Sequence, residues 1–196
     1  YTRITEEDVS TLKGLDDFSR VGEYYMLAVE PAKQGYNASY IYCDEETMYI
    51  ARDQMKLLEG RLPQKEDEVA VSRYFLSNYG ADAGIGEKVM LNSESFHGEY
   101  TVTGILEGYK EKEVNGSSIL LSKEALKGWS GYDPADYRAY VHFKNEQQMD
   151  ETELTARSRE IAKEYQLEMP IMNLSYMKFY KQPCLLYTSP SPRDST

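Results

Sequence analysis

Leu58-Glu59-Gly60-Arg61-Leu62-Pro63, followed by Glu68-Val69-Ala70-Val71, Ile85-Gly86-Glu87-Lys88-Val89 and Tyr100-Thr101-Val102-Thr103-Gly104-Ile105, is the stretch on which the fold turns. Glycine tolerates positive φ and proline holds φ near about −65°, so Gly60-Arg61-Leu62-Pro63 reads as a tight turn feeding a strand over 68–71. Arg61 and Glu68 flank that connection. A guanidinium can grip a carboxylate through two parallel hydrogen bonds, which lysine cannot reproduce, so the pair is expected to lock the turn. Gly60, Arg61, Pro63, Glu68, Gly86 and Gly104 form a structural signature, and no catalytic or ligand-binding role is assigned to any of them.

Working outward, Thr5 with Asp8 three residues on predicts a capped helix that stops near Gly14. Tyr24 to Val29 reads as a strand ended by Pro31, Ser39 to Cys43 as a second strand, and Asp44-Glu45-Glu46 as a turn. Ile50 to Leu58 is ambiguous between helix and strand, with Met55, Leu57 and Leu58 suggesting a short helix into the Gly60 turn. Past the strand 68–71, Ser72 is placed to cap a helix to Tyr79 that Gly80 closes. Strands at Lys88 to Leu91 and Tyr100 to Ile105 are expected to join across a turn holding His97-Gly98. Ser118 to Leu121 reads as a strand, Ser122 as the cap of a short helix ending at Gly128, and Tyr137 to Phe143 as an alternating strand. The clearest helix carries Leu154, Ser158, Ile161, Ala162 and Tyr165 behind the acidic first turn Asp150, Glu151 and Glu153.

The ordered set from Leu58 to Ile105 resembles the MacB-like extracytoplasmic domain of FtsX-type permeases of ABC transporters. There too a Gly-Arg-x-Pro turn precedes a Glu-hydrophobic strand, a short helix, an Ile-Gly-acidic-basic-Val entry and a Val-x-Gly-Ile exit. The likeness is densest from Leu57 to Leu121, and weaker patterning runs from about Thr5 to Tyr180. It implies an α+β fold in which a porter-like lobe from the two ends of the chain, about 1–38 and 122–183, holds an inserted β-rich lobe, about 39–121. It also implies a module that is not an enzyme and needs no cofactor, on the extracytoplasmic side of the cell membrane. A cytoplasmic ABC ATPase would supply the energy through a membrane part, beside a second permease copy or paralogue. Both chain ends are expected at one pole, as two flanking membrane helices require.

Residues 184–196 are set aside. Cys184-Leu185-Leu186-Tyr187-Thr188-Ser189-Pro190-Ser191-Pro192-Arg193-Asp194 is similar to one reading frame of a transposase-type sequencing adapter, and the alternative is a native disordered Ser/Pro tail. Tyr1 is not an initiator methionine, so the chain is read as a fragment. No window reaches the ~18 apolar residues of a membrane span. The formal charge of −11 and the lack of a basic stripe argue against nucleic acid. Eighteen tyrosines beside five phenylalanines and one tryptophan suit half-buried sheet faces with wet hydroxyls. Cys43, the one cysteine outside the tail, reads as a small hydrophobe in a strand, and no disulfide framework is available.

Motifs that carry chemistry are missing from the sequence. No Gly-x-x-x-x-Gly-Lys-Ser/Thr loop exists to cradle phosphates, and Gly84-Ile85-Gly86 reads as a turn. His97 and His142 lack zinc-site spacing and any nucleophile relay. The acidic runs Asp44-Glu45-Glu46 and Glu66-Asp67-Glu68 lack calcium-loop spacing and read as solvated turns. Asn37-Ala38-Ser39, Asn115-Gly116-Ser117 and Asn173-Leu174-Ser175 match the glycosylation pattern, which short sequences meet by chance. The segment 173–180, with Tyr176, Met177, Phe179 and Tyr180, reads either as the approach to a membrane helix or as a closing strand. Two rival readings stand beside the permease domain: a secreted or anchored peptide- or glycan-binding module using a contiguous tyrosine patch, and a hydrolase needing convergent polar groups with shifted pKa values.

Overall fold

The computed structural model describes residues 4–33, 35–79 and 82–167. The chain forms two compact units, residues 3–144 and a smaller one whose described part is 145–167. The larger unit holds α1 (Glu6–Lys13), β1 (Phe18–Lys33), β2 (Tyr36–Cys43), α2 (Glu45–Ile50), β3 (Met55–Gly60) and β4 (Glu68–Ser72). It continues with α3 (Arg73–Tyr79), β5 (Lys88–Asn92), β6 (His97–Gly108), α4 (Glu111–Val114), β7 (Gly116–Leu121), α5 (Lys123–Gly128) and β8 (Arg138–Phe143). The class is α+β, as expected.

The eight strands make one mixed sheet in the order β3-β6-β4-β7-β2-β1-β8, with β5 also paired to β6. β4 pairs parallel to β6 and β2 parallel to β7, and the remaining neighbours are antiparallel. β4 is buried at all five positions because it lies between β6 and β7. That matches its unbroken Val69-Ala70-Val71 run, since a strand covered on both faces has no wet face to alternate toward. Ile41, Cys43, Met48, Ala70, Leu106 and Leu120 form a core cluster on which Tyr24, Met26, Met55, Leu57 and Leu62 pack.

Capping follows the sequence closely. Thr5 Oγ1 accepts from the Asp8 amide at 3.0 Å while Asp8 Oδ2 accepts from the Thr5 amide at 2.8 Å, a complete capping box on α1. Ser72 and Ser122 accept from the amides of Phe75 and Ala125, each at 3.0 Å, starting α3 and α5. In the smaller unit, a 3-10 turn at Glu146–Gln148 precedes α6 (Glu151–Glu164), which Asp150 and Glu153 cap reciprocally at 2.8 and 2.9 Å. Leu154, Ile161 and Ala162 are its buried positions. The closing glycine Gly80 and the segment 173–180 lie outside the described residues, as do Asn173 and residues 184–196.

Four local expectations are corrected. β1 does not stop at Pro31 but runs to Lys33, because β8 flanks it only as far as Tyr24, so the missing Pro31 N–H faces an unpaired side. Asp44-Glu45-Glu46 is no turn: Asp44 Oδ1 accepts from the Thr47 amide at 2.9 Å and the two glutamates enter the first turn of α2. Met55 to Leu58 belongs to strand β3, where a register shift between Leu57 and Glu59 leaves Leu58 44% exposed and breaks the alternation that would have marked a strand. His97 and Gly98 open β6 rather than a turn. The bend sits at residues 93–95, where the Ser93 amide and hydroxyl both donate to the Phe96 carbonyl, at 3.0 and 3.2 Å.

Candidate functional site

The signature residues come together on β6. The Gly60-Arg61-Leu62-Pro63 segment is not the tight turn expected of it: it runs on alongside β6 and the chain turns at residues 65–67, where the Glu68 amide donates to the Lys65 carbonyl at 3.2 Å, while the Arg61 amide donates to the Thr103 carbonyl at 2.9 Å and the Thr103 hydroxyl donates back to the Arg61 carbonyl at 3.1 Å. Gly60 has φ +78°, and a Cβ there would collide with the Thr103 carbonyl oxygen. At Gly104, a Cβ would stand 2.6 Å from the Arg61 carbonyl oxygen. Gly86, at φ +87°, donates its amide to the Val102 carbonyl at 2.8 Å, bringing the Ile85-Gly86 turn onto the same strand. Pro63 is buried.

The expected grip of Arg61 on Glu68 is present. Nη1 donates to Oε2 at 2.9 Å and Nη2 to Oε1 at 2.7 Å, and the Gln64 and Lys65 amides donate to Oε2 at 2.8 and 3.0 Å. Four donors thus converge on one carboxylate that is 6% exposed, whereas the guanidinium is about half exposed. The Arg61 guanidinium, aided by the two amides and opposed by burial, holds the Glu68 carboxyl down at about 2. Glu68 therefore departs from the solvated turn expected for Glu66-Asp67-Glu68: Glu66 and Asp67 are exposed and Glu68 is not.

A second polar cluster escaped the sequence reading. Glu23, on β1, is 7% exposed. It receives the Tyr42 hydroxyl and, at 3.0 Å, the Lys123 ammonium, and Thr47 donates to its main-chain carbonyl at 2.9 Å. Lys123 also bridges to Glu6 at 2.9 Å, Lys127 to Glu6 at 3.2 Å, and Lys13 to Asp44 at 3.6 Å. Burial raises the Glu23 pKa, but the Tyr42 hydroxyl and Lys123 outweigh it and the net shift is downward. Burial and the Glu23 carboxylate together push the Tyr42 hydroxyl up. Three lysines balance three carboxylates, so the cluster pins α1 and α5 to the sheet and offers no unsatisfied charge to a substrate. Starting β1 at Phe18 would have exposed it, because Val21, Glu23 and Tyr25 then share one face.

The remaining candidates separate. His97 lines an open acidic groove of about 680 Å³ with Lys65, Glu66, Asp67, Glu99 and Glu124, while His142 lies on β8. No group of three or more His, Cys, Asp or Glu side chains is arranged to hold a metal among the described residues. Asn37 is exposed on β2, and the Asn115 side chain donates to the Gly35 carbonyl. Tyr24, Tyr74, Tyr79, Tyr100, Tyr132, Tyr140 and Tyr165 are half-buried as expected, whereas Tyr25, Tyr40 and Tyr137 are fully buried. Their hydroxyls meet the Asp133 amide, Ser93 and Tyr132, which is how so polar a core is tolerated. Tyr49 and Tyr109 are the tyrosines among the exposed large apolar side chains of the described residues.

Cys43 is the small core hydrophobe its strand setting suggested, 4% exposed, and burial pushes its thiol well above the usual range. With Cys184→Ser in place, the native chain is expected to leave Ellman's reagent unreacted over hours and to titrate one thiol in denaturing urea. Rapid labelling of the native chain would place Cys43 at the surface.

No protein-family model and no curated protein matches the chain. Solved structures do, and the fold they share is that of the MacB-like extracytoplasmic domains of ABC transporters. The extracellular domain of the noncanonic ABC-type transporter YknZ from Gram-positive bacteria superposes with a TM-score of 0.58 at 17% identity, covering 87% of this chain and 90% of that one. The periplasmic region of MacB from Actinobacillus actinomycetemcomitans gives 0.57 at 13% identity, covering 97% and 86%. A domain from Porphyromonas gingivalis described as part of a permease gives 0.53 at 12% identity and covers 91% of each chain.

Proposed function

We propose that this chain is the extracytoplasmic domain of an ABC transporter permease and that it performs no catalysis of its own. The observation that carries the reading is the likeness to the extracellular or periplasmic domains of YknZ and MacB over at least 86% of either chain in each pair. The Gly60-to-Gly104 knot supports it, since the ordered motifs quoted for the resemblance meet on one strand. In this reading a cytoplasmic ABC ATPase moves flanking membrane helices, and the domain responds as a lever or cargo clamp beside a second permease copy or paralogue. The division into a porter-like lobe from residues 1–38 and 122–183 and an inserted lobe from 39–121 belongs to the same proposal, as does the return of both ends toward the membrane. Among the described residues no helix is long and apolar enough to cross a membrane.

The flanking DNA tests the reading directly. Apolar spans of ~20 residues are expected on both sides of this segment, with a gene carrying a Walker A motif close by. A complete secreted reading frame with a signal peptide and no spans would contradict it.

A further inference from the structure

A small cleft opens in the larger unit where the sheet divides. β4 pairs with β7 only at Val69↔Leu121 and Ala70↔Leu120, so the first residues of β7 and the last of β6 diverge. Between them, beside the starts of β2 and β3, lies a cavity of about 260 Å³. From its lining we infer that this cleft receives a single cationic side chain, lysine or arginine, from a protein partner. The inference stands on the cleft itself and does not depend on the transporter reading.

Three observations carry it. The first is charge. Glu111 is the one ionised group in the lining, and no lysine or arginine reaches the cavity. Glu111 is half-buried and its carboxylate makes no hydrogen bond or ion pair among the described residues, unlike Glu113 on the same short helix, which bridges to Lys110 at 3.6 Å. The second is hydrogen-bonding capacity. Asn37, Ser39, Gln54 and Ser118 also line the cleft, and their side chains have no partner among the described residues, which leaves amide and hydroxyl oxygens free to accept. An ammonium or guanidinium brings only donors, so acceptors beside one carboxylate are the complement it needs. The third is size and shape. Met55, Val114 and the Tyr109 ring give the walls an apolar portion that suits an aliphatic stem. The volume falls just below the ~300–1,000 Å³ of sites for drug-sized molecules, which fits one side chain better than a whole ligand.

The test is an NMR titration of the whole 15N-labelled chain with N-acetyl-arginine methylamide and N-acetyl-lysine methylamide, with uncharged N-acetyl-norleucine methylamide and maltose as controls. At least one cationic probe is expected to give saturable shifts confined to amides around Asn37, Ser39, Gly108, Glu111 and Ser118, and the controls none there. Glu111→Gln should weaken binding at least fivefold with an unchanged melting curve, while Glu113→Gln should leave it unaltered. Absence of saturable shifts, shifts centred on another surface, an equal response to either control, or indifference to Glu111→Gln overturns the inference.

Discussion

Gly60→Ala lowers the stability of the domain by about 3 kcal/mol or more, the size expected when a strained backbone position is forced and a side chain driven into neighbouring main chain. At ~2–4 °C per kcal/mol for a chain of this length, the melting temperature falls by about 6–12 °C. Two independent costs coincide at this residue. The φ of +78° lies where side chains other than glycine are rarely found, and the added Cβ would press on the Thr103 carbonyl that receives the Arg61 amide. Relief would require the Gly60-Arg61 segment to lift off β6, which also loosens Arg61 from Glu68. Gly86→Ala is the control, since φ there is a similar +87° but nothing lies within 4 Å of the new carbon. It should lose markedly less. Equal losses for the two variants, read by calorimetry, would show that the close approach to Thr103 contributes nothing.

Glu68→Gln costs about 2 kcal/mol near neutral pH, because it removes the charge that four donors share, although the half-exposed guanidinium and nearby solvent moderate the loss. The sign of the pH dependence follows from the direction of the shift. The folded-state pKa is depressed from 4.5 to about 2, so the stabilisation is fully present above about pH 4.5 and disappears as pH falls through about 2. The gap in urea midpoint between wild type and Glu68→Gln should therefore be constant from pH 7 to about 5, narrow below about 4.5 and nearly close by about 2. A gap that stays constant down to pH 2.5 would mean that the charge on Glu68 is irrelevant to the lock. Arg61→Lys should behave as a partial version, since an ammonium cannot engage both carboxylate oxygens in parallel.

Local rules explain what was legible in the sequence and what was not. Thr5, Ser72, Ser122 and Asp150 announce their helices because a cap is a contact within three residues along the chain. The Arg61 to Glu68 lock was readable for a similar reason, since its partners are seven residues apart, with Gly60 just before them and Pro63 between them. β3 was misread because its pairing partner, β6, lies some fifty residues away, and the bulge at Leu58 disguises its period. Asp44 looked like a loop residue because an N-cap and a turn draw on the same residue types. The role of Thr103 was hidden altogether. Its hydroxyl reaches the Arg61 and Val69 carbonyls, at 3.1 and 3.3 Å, and both contacts exist only once β3, β4 and β6 lie side by side. Glu23 was missed by one residue of strand boundary, since the strand was started at Tyr24. The cleft at Glu111 could not be seen either, because it is made by the ends of four strands that are distant in sequence.

Placement outside the cytoplasm is the claim on which the transporter reading rests. Met90 on β5 is 52% exposed, and Cys43 is buried, so Met90→Cys in the full-length protein, in a Cys184→Ser background, gives one reactive thiol within this domain. Intact cells treated with a membrane-impermeant maleimide should label that position without lysis, while the protein with native Met90 stays unlabelled in this domain. Labelling of Met90→Cys only after the cells are broken would contradict an extracytoplasmic domain.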